Sequence, residues 1–129
     1  MLYLLKGMSV NMNNIELGKY GEEKAVGFLK NQNYKILARN FSCNQGEIDI
    51  IAKDKDEVVF FEVKTRNSLD YGNPIDAVDN FKQKHIWDAA KYYLYRNQMM
   101  NAYVRFDVIE VYLKNNKVFI NQIRNIMEH

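Results

Sequence analysis

Across residues 13–33, "NNIELGKYGEEKAVGFLKNQN", Leu17, Gly21, Ala25 and Phe28 recur at helical spacing on an otherwise polar segment, the pattern of a helix with one face turned to a core. Asn13 followed three residues later by Glu16 has the form of a capping box, so the helix is predicted to start there and to run to about Lys30. Gly18 and Gly21 each cost roughly 1 kcal/mol relative to alanine inside a helix; close approach of helix to sheet is the expected reason for both. The period then shortens. "YKILARNF" (34–41), "EIDIIA" (47–52) and "VVFFEVK" (58–64) are short runs rich in β-branched and aromatic residues and read as strands, with "SCNQG" as a loop and a charged hairpin turn around "KDKDE". Asn73 and Pro74 have the form of an N-cap and a first helical proline, opening a second helix from Ile75 to about Arg96 with Ile75, Val78, Ile86, Ala89, Tyr93 and Leu94 as its apolar stripe. "YVRFDVIEVYL" and "KVFINQI" read as two last strands joined by a turn at "NN". The order αβββαββ predicts an α/β fold with no internal repeat.

Length and composition narrow this to one unit. With 129 residues, 47% of them hydrophobic, the chain is long enough for one core and short for two. Residues 1–12 are expected to be a flexible N-terminal extension. No stretch approaches the roughly 18 apolar residues of a membrane span, and the apolar part of "MLYLLKGMSV" is short for a signal-peptide core, so the expected location is cytoplasmic, with no membrane partner. The single cysteine, Cys43, forms no internal disulfide and argues against zinc, and His85 and His129 are too isolated to form a metal pair. A net charge of +2 permits nucleic-acid binding without demanding it.

The apolar strands nevertheless carry charges. By alternation Val58, Phe60, Glu62 and Lys64 share one face of the third strand, and Glu47, Asp49 and Ile51 share one face of the second. A four-residue loop from Asp54 to Glu57 sets Lys53 opposite Val58 and therefore Asp49 opposite Glu62. Two anions about 4 Å apart repel by roughly 4 kcal/mol at an effective dielectric of 20, so a positive group belongs between them. Lys64 supplies part of that charge, but paired hard oxygen ligands suit Mg²⁺ or Mn²⁺ better. Asp49 and Glu62 as metal ligands, with Lys64 orienting or deprotonating a water, compose a site for phosphodiester hydrolysis. The competing reading is an ion-pair cluster in which Lys64 bridges the two carboxylates. For Glu-x-Lys alone that reading is the stronger one, because the triplet arises by chance about once per 250 positions. The aspartate on the neighbouring strand and the apolar surroundings shift the balance toward a metal site.

An Asp on the second strand and Glu-x-Lys on the third, in this element order, resembles the PD-(D/E)XK nuclease superfamily. That resemblance implies the restriction-endonuclease-like three-layer core, a mixed central sheet flanked by helices. "GKYGEEKAVGFL", "ARNF", "GEIDIIA", "VVFFEVKTR", "YGNPIDAV", "KQKHIWDAAKYYL" and "VRFDVIEV" together resemble the YraN-type family of small bacterial proteins over about residues 14–112. The family is similar to archaeal Holliday-junction resolvases, which implies DNA of structured or branched form as substrate and is compatible with a homodimer. By the same resemblance Asp49, Glu62 and Lys64 match catalytic positions and Glu22 matches a further acidic metal-shell position, against the alternative of a solvated helix glutamate. Gln83 resembles a glutamine that some related nucleases place near the metal. Between Asn40 and Gly46 many relatives carry arginines where this chain has "FSCNQ", which weakens the case for a phosphate contact there.

Arg66, Lys82 and Lys84, with Lys91 and Arg96, are candidate phosphate contacts with a solvated basic face as their alternative. Arg105 and Asp107 share one strand face, where a structural salt bridge is the stronger expectation. Two function classes follow: a divalent-metal-dependent endonuclease, and a non-catalytic nucleic-acid- or protein-binding module that retains the fold.

Overall fold

The computed structural model describes residues 13–67 and 80–127. Helix α1 (Asn14–Asn31) begins at a capping box: Glu16 N–H donates to Asn13 Oδ1 at 2.8 Å and Asn13 N–H to Glu16 Oε1 at 3.2 Å. Two orphan donors of the first turn are thereby satisfied. Gly21 packs so closely on the sheet that a methyl group there would run into the Thr65 side chain, whereas one at Gly18 would meet open space. Close approach thus accounts for Gly21 and not for Gly18. The strands are β1 (Lys35–Cys43), β2 (Gly46–Asp54), β3 (Glu57–Asn67), β4 (Tyr103–Lys114) and β5 (Lys117–Ile123), with helix α2 (Asn80–Arg96) between β3 and β4. The expected N-terminal extension, the Asn73–Pro74 cap and the expected first turns of the second helix lie outside the described residues.

One mixed sheet in the order β1-β2-β3-β4-β5 results, antiparallel except for the parallel β3–β4 pair. β1 continues through Ser42 and Cys43, so the first hairpin turns on Asn44 and Gln45 alone, a shorter loop than "SCNQG" predicts. The β2–β3 register is the expected one, with Lys53 opposite Val58, but Asp54 also pairs with Glu57. Its loop is therefore Lys55–Asp56, with Lys55 in the left-handed region at φ 58°. Asn115 and Asn116, at φ 50° and 59°, form the β4–β5 turn, both central residues left-handed as the twist of a two-residue hairpin favours.

Each sheet face holds one core. On one side Val26, Leu29 and Ala25 of α1 pack with Ile50, Ala52, Val59, Phe61 and Ile109. On the other, Ile86, Ala89, Ala90, Tyr93 and Leu94 of α2 pack with Ile48, Ile51, Val58, Phe60, Phe106 and Val108. A helix therefore covers each face of the sheet. Buried charge is concentrated in Arg105, Asp107 and Glu110. Arg105 donates to Asp107 at 3.0 Å, to Tyr34 Oη at 2.7 Å and to Glu57 at 2.9 Å, so the expected structural salt bridge is the centre of a network.

Candidate functional site

Strict alternation in β2 puts Ile48 and Ile50 on one face. Instead Ile48 packs toward α2 and Ile50 toward α1, so the alternation breaks at Asp49. Beside it in β1 there is a matching break: Asn40 adopts φ 52°, and Arg39 and Asn40 both reach α1 while Phe41 packs toward α2. The β2–β3 ladder runs no further toward Asp49 than Ile50–Phe61. Past that pair the Val63 N–H donates to Asp49 Oδ2 at 2.7 Å. The aspartate side chain has taken the place of a backbone acceptor, and the two strands part around it. The expectation that alternation runs unbroken through Ile48 and Ile50 is corrected accordingly, while the meeting of Asp49 with Glu62 holds.

The two carboxyl groups lie close enough to hydrogen-bond. Burial, the Glu62 charge and that bond together push the Asp49 pKa up to about 6, against the opposing pull of the Val63 N–H and of Lys82. Glu22, on α1, is also raised, first by burial and then by the charge of Asp49. Its carboxylate accepts from Asn40 Nδ2 at 2.8 Å and lies 3.5 Å from Arg39, which bonds Glu23 at 2.6 Å. Glu22 thus stands behind Asp49 within electrostatic reach. Among the described residues no three His, Cys, Asp or Glu side chains close into a metal cage. The donor set is a converging pair of hard oxygen groups with a third acid behind, which suits a divalent cation completed by water.

The ammonium at this site comes from α2. Lys82 Nζ bonds Glu62 Oε1 at 2.9 Å, with the Glu62 side chain only 13% exposed. Lys64 lies on the same face of β3, two positions beyond Glu62, and is exposed. It makes no ion pair among the described residues, so the Lys64 bridge of the competing ion-pair reading is not formed, and the ion pair to Glu62 comes from Lys82. Gln83 is half-buried beside it. Lys84 points along the helix to Asp88 at 3.1 Å. Arg66 is not a solvent-facing cation: its side chain is 12% exposed and its Nε lies 3.6 Å from buried Glu110. Glu110 also accepts from Tyr112 Oη at 2.8 Å and Asn121 at 3.2 Å.

Arg39 and Asn40, which hold Glu22, escaped the sequence reading. Their one signal is an asparagine inside a strand pattern, the residue most tolerant of a left-handed kink after glycine.

Residues 21–111 match Uncharacterised protein family UPF0102. The chain belongs to this family. It is 52% identical to a UPF0102 protein of Caldicellulosiruptor saccharolyticus over 116 residues, 88% of this chain and 98% of that one. A UPF0102 protein of Clostridioides difficile is 46% identical over 114 residues, again 88% of this chain and 98% of the relative. This is the YraN-type family that the motifs resemble. Among solved structures the chain is distantly similar to SSO0001, at a TM-score of 0.38 and 20% identity over 91% of this chain and 55% of that protein. No helix among the described residues of this UPF0102 chain is long and apolar enough to cross a membrane.

Proposed function

We propose that this UPF0102 protein is a divalent-metal-dependent endonuclease with a restriction-endonuclease-like, PD-(D/E)XK core, hydrolysing phosphodiesters of structured or branched DNA. The observation that supports it is the meeting of Asp49 and Glu62 where β2 and β3 part. A fold has no use for two half-buried carboxylates whose charges raise the free energy of the folded state, whereas a cation site has. Asp49 and Glu62 would hold Mg²⁺ or Mn²⁺, with Glu22 as the outer acid. Such a cation offsets charge developing on a phosphodiester and lowers the pKa of water.

The chain's own groups do the rest. The Val63 N–H fixes the orientation of the Asp49 carboxylate. Lys64 would orient the attacking water and exchange its proton, and Lys82 neutralises Glu62 in the cation-free chain. One specific observation favours the alternative, a binding module that retains the fold: Lys82 already supplies a counter-charge to Glu62 from within the chain.

A cleavage panel of duplex, single-stranded, flap and four-way DNA with Mg²⁺ or Mn²⁺ separates the two. The nuclease cuts at least one structured DNA, Asp49→Ala abolishes cutting, and Lys64→Ala lowers it by roughly 10² to 10⁴ while metal-dependent binding persists. Wild type that binds DNA but never cuts it, with Lys64→Ala behaving identically, leaves the binding module standing.

A further inference from the structure

Helix α2 turns its apolar residues to the sheet, and its opposite face is expected to be hydrated and polar. At about 100° per residue, Phe81, Tyr92 and Tyr95 fall together on that outward face, with His85 at its edge, where the ring Nδ1 bonds the Gln45 carbonyl of the β1–β2 hairpin at 2.6 Å. Phe81 is 75% exposed, Tyr95 73% and Tyr92 38%. Phe81 and His85 lie edge to face with centroids 4.4 Å apart, and Tyr92 leans on Phe41 of β1 at 6.4 Å. Single exposed apolar residues are ordinary; a row of rings along one helix face calls for an occupant.

The residues between the rings name its chemistry. Lys84, Lys91 and Arg96 share the face with one carboxylate, Asp88, which bonds Lys84 at 3.1 Å and approaches Lys91 at 3.5 Å. The face keeps a positive excess. Two copies of it brought together would oppose like charges, and the cores of protein interfaces are depleted of lysine. A polyanion with flat apolar faces satisfies rings and cations at once, and unpaired nucleic acid is such a ligand. From Phe81 to Tyr95 the helix rises about 20 Å, the length of a few nucleotides of single strand. The row also begins at the candidate site, because Lys82, next to Phe81, bonds Glu62 at 2.9 Å.

We propose that the outward face of α2 is a stacking platform for an unpaired strand that leads to Asp49 and Glu62, so that the substrate class is nucleic acid with a single-stranded arm or gap rather than uniform duplex. Bases inside a duplex already stack on each other and present only edges. As a statement about substrate this rests on the nuclease reading; as a statement about binding it is measurable alone.

The test is fluorescence anisotropy with a labelled single-stranded oligothymidine of about 20 nucleotides and a blunt duplex of equal length. Wild type, Phe81→Ala/Tyr95→Ala and Phe81→Trp/Tyr95→Trp are compared at one ionic strength, with a circular dichroism melt and the melting response to Mn²⁺ recorded for each. The platform requires that wild type prefer the single strand. The double alanine variant should lose about tenfold or more of that affinity per ring, with duplex binding, fold and Mn²⁺ response kept, and tryptophans should restore it. Unchanged single-strand affinity in the alanine variant overturns the platform while a surviving Mn²⁺ response and cleavage keep the nuclease reading. Equal loss on both DNAs reduces the face to a basic patch and also overturns it. A wild-type dimer in sedimentation that the alanine variant splits, with oligonucleotide affinity unchanged, assigns the rings to a second copy instead. Ring-dependent single-strand binding without any Mn²⁺ response or cleavage supports the platform and removes the nuclease.

Discussion

At Asp49 a carboxylate is held where its own charge is unwelcome. Burial and the neighbouring Glu62 raise its pKa from 3.8 to about 6, so the folded chain holds that proton more tightly than the unfolded chain does. The stabilisation by the proton is complete below about pH 4 and is lost as pH rises through about 6. Asparagine keeps an oxygen for the Val63 N–H and carries no charge. Asp49→Asn is therefore expected to be more stable than wild type at pH 7.5 without metal, by about 2–3 kcal/mol for a shift of about two units, and the difference should vanish near pH 4; urea denaturation at the two pH values reads it. A gain that persists unchanged at pH 4 would show that electrostatics is not its source. Lys82 tests the same charge balance from the other side. Its ammonium faces Glu62, where it opposes any arriving cation, so Lys82→Met should lower apo stability yet lower the Mn²⁺ concentration needed for half-maximal thermal stabilisation by about tenfold. A rise in that concentration would make Lys82 a supporter of the cation site rather than a competitor.

Helix α1 is set against the sheet by a glycine rather than by a large side chain. A Cβ at Gly21 meets Thr65 of β3, one residue beyond Lys64, and a Cβ at Gly18 meets nothing. Gly21→Ala should cost about 1–3 kcal/mol through overpacking, Gly18→Ala should gain up to about 1 kcal/mol of helix propensity, and Gly21→Ala/Thr65→Ala should recover only part of the loss, because the Cβ that alanine keeps at position 65 lies 2.8 Å from the added methyl carbon; thermal melts of the three variants against wild type decide it. At this scale much was legible. The capping box, the strand periods and the parity of "IDII" against "FFEV" are local patterns, and a two-residue or a four-residue loop closes the β2–β3 hairpin in the same register. The breaks at Asn40 and Asp49 were not legible, because alternation assumes an uninterrupted ladder and the side chain that interrupts it answers to an N–H 14 residues away. For the same reason the ammonium at Glu62 could not be assigned to Lys82 over Lys64: the first is 20 positions distant, and only the docking of α2 brings it close.

The sheet carries one charged cluster around Arg105 and another around Asp49 and Glu62, and the molecule treats these in opposite ways. Around Arg105 every partner is provided from within the fold. Tyr34 before β1, Glu57 of β3, Asp107 of β4 and Gln122 of β5 meet there, with Gln122 donating to Asp107 at 2.8 Å and the Asn125 backbone N–H at 2.9 Å. Burial alone would weaken the Arg105 cation, but the bonds to Asp107 and Tyr34 outweigh it and raise its pKa above the ordinary value. Five segments of chain are pinned by groups that only this fold assembles. Around Asp49 and Glu62 the balance is acidic and incompletely met. If the first cluster serves the fold and the second an external cation, their neutral variants should differ in sign. Arg105→Met strands the buried Asp107 charge and should destabilise by about 3–5 kcal/mol, whereas Arg105→Met/Asp107→Leu, which removes both charges, should recover a large part of the loss. Neither change should alter the melting response to Mn²⁺ in protein that remains folded, while Asp49→Asn should abolish that response and raise apo stability. Denaturant unfolding of the four proteins, with and without Mn²⁺, checks the contrast. Destabilisation by Asp49→Asn comparable to that by Arg105→Met would make both clusters structural and remove the physical ground for a cation site between β2 and β3.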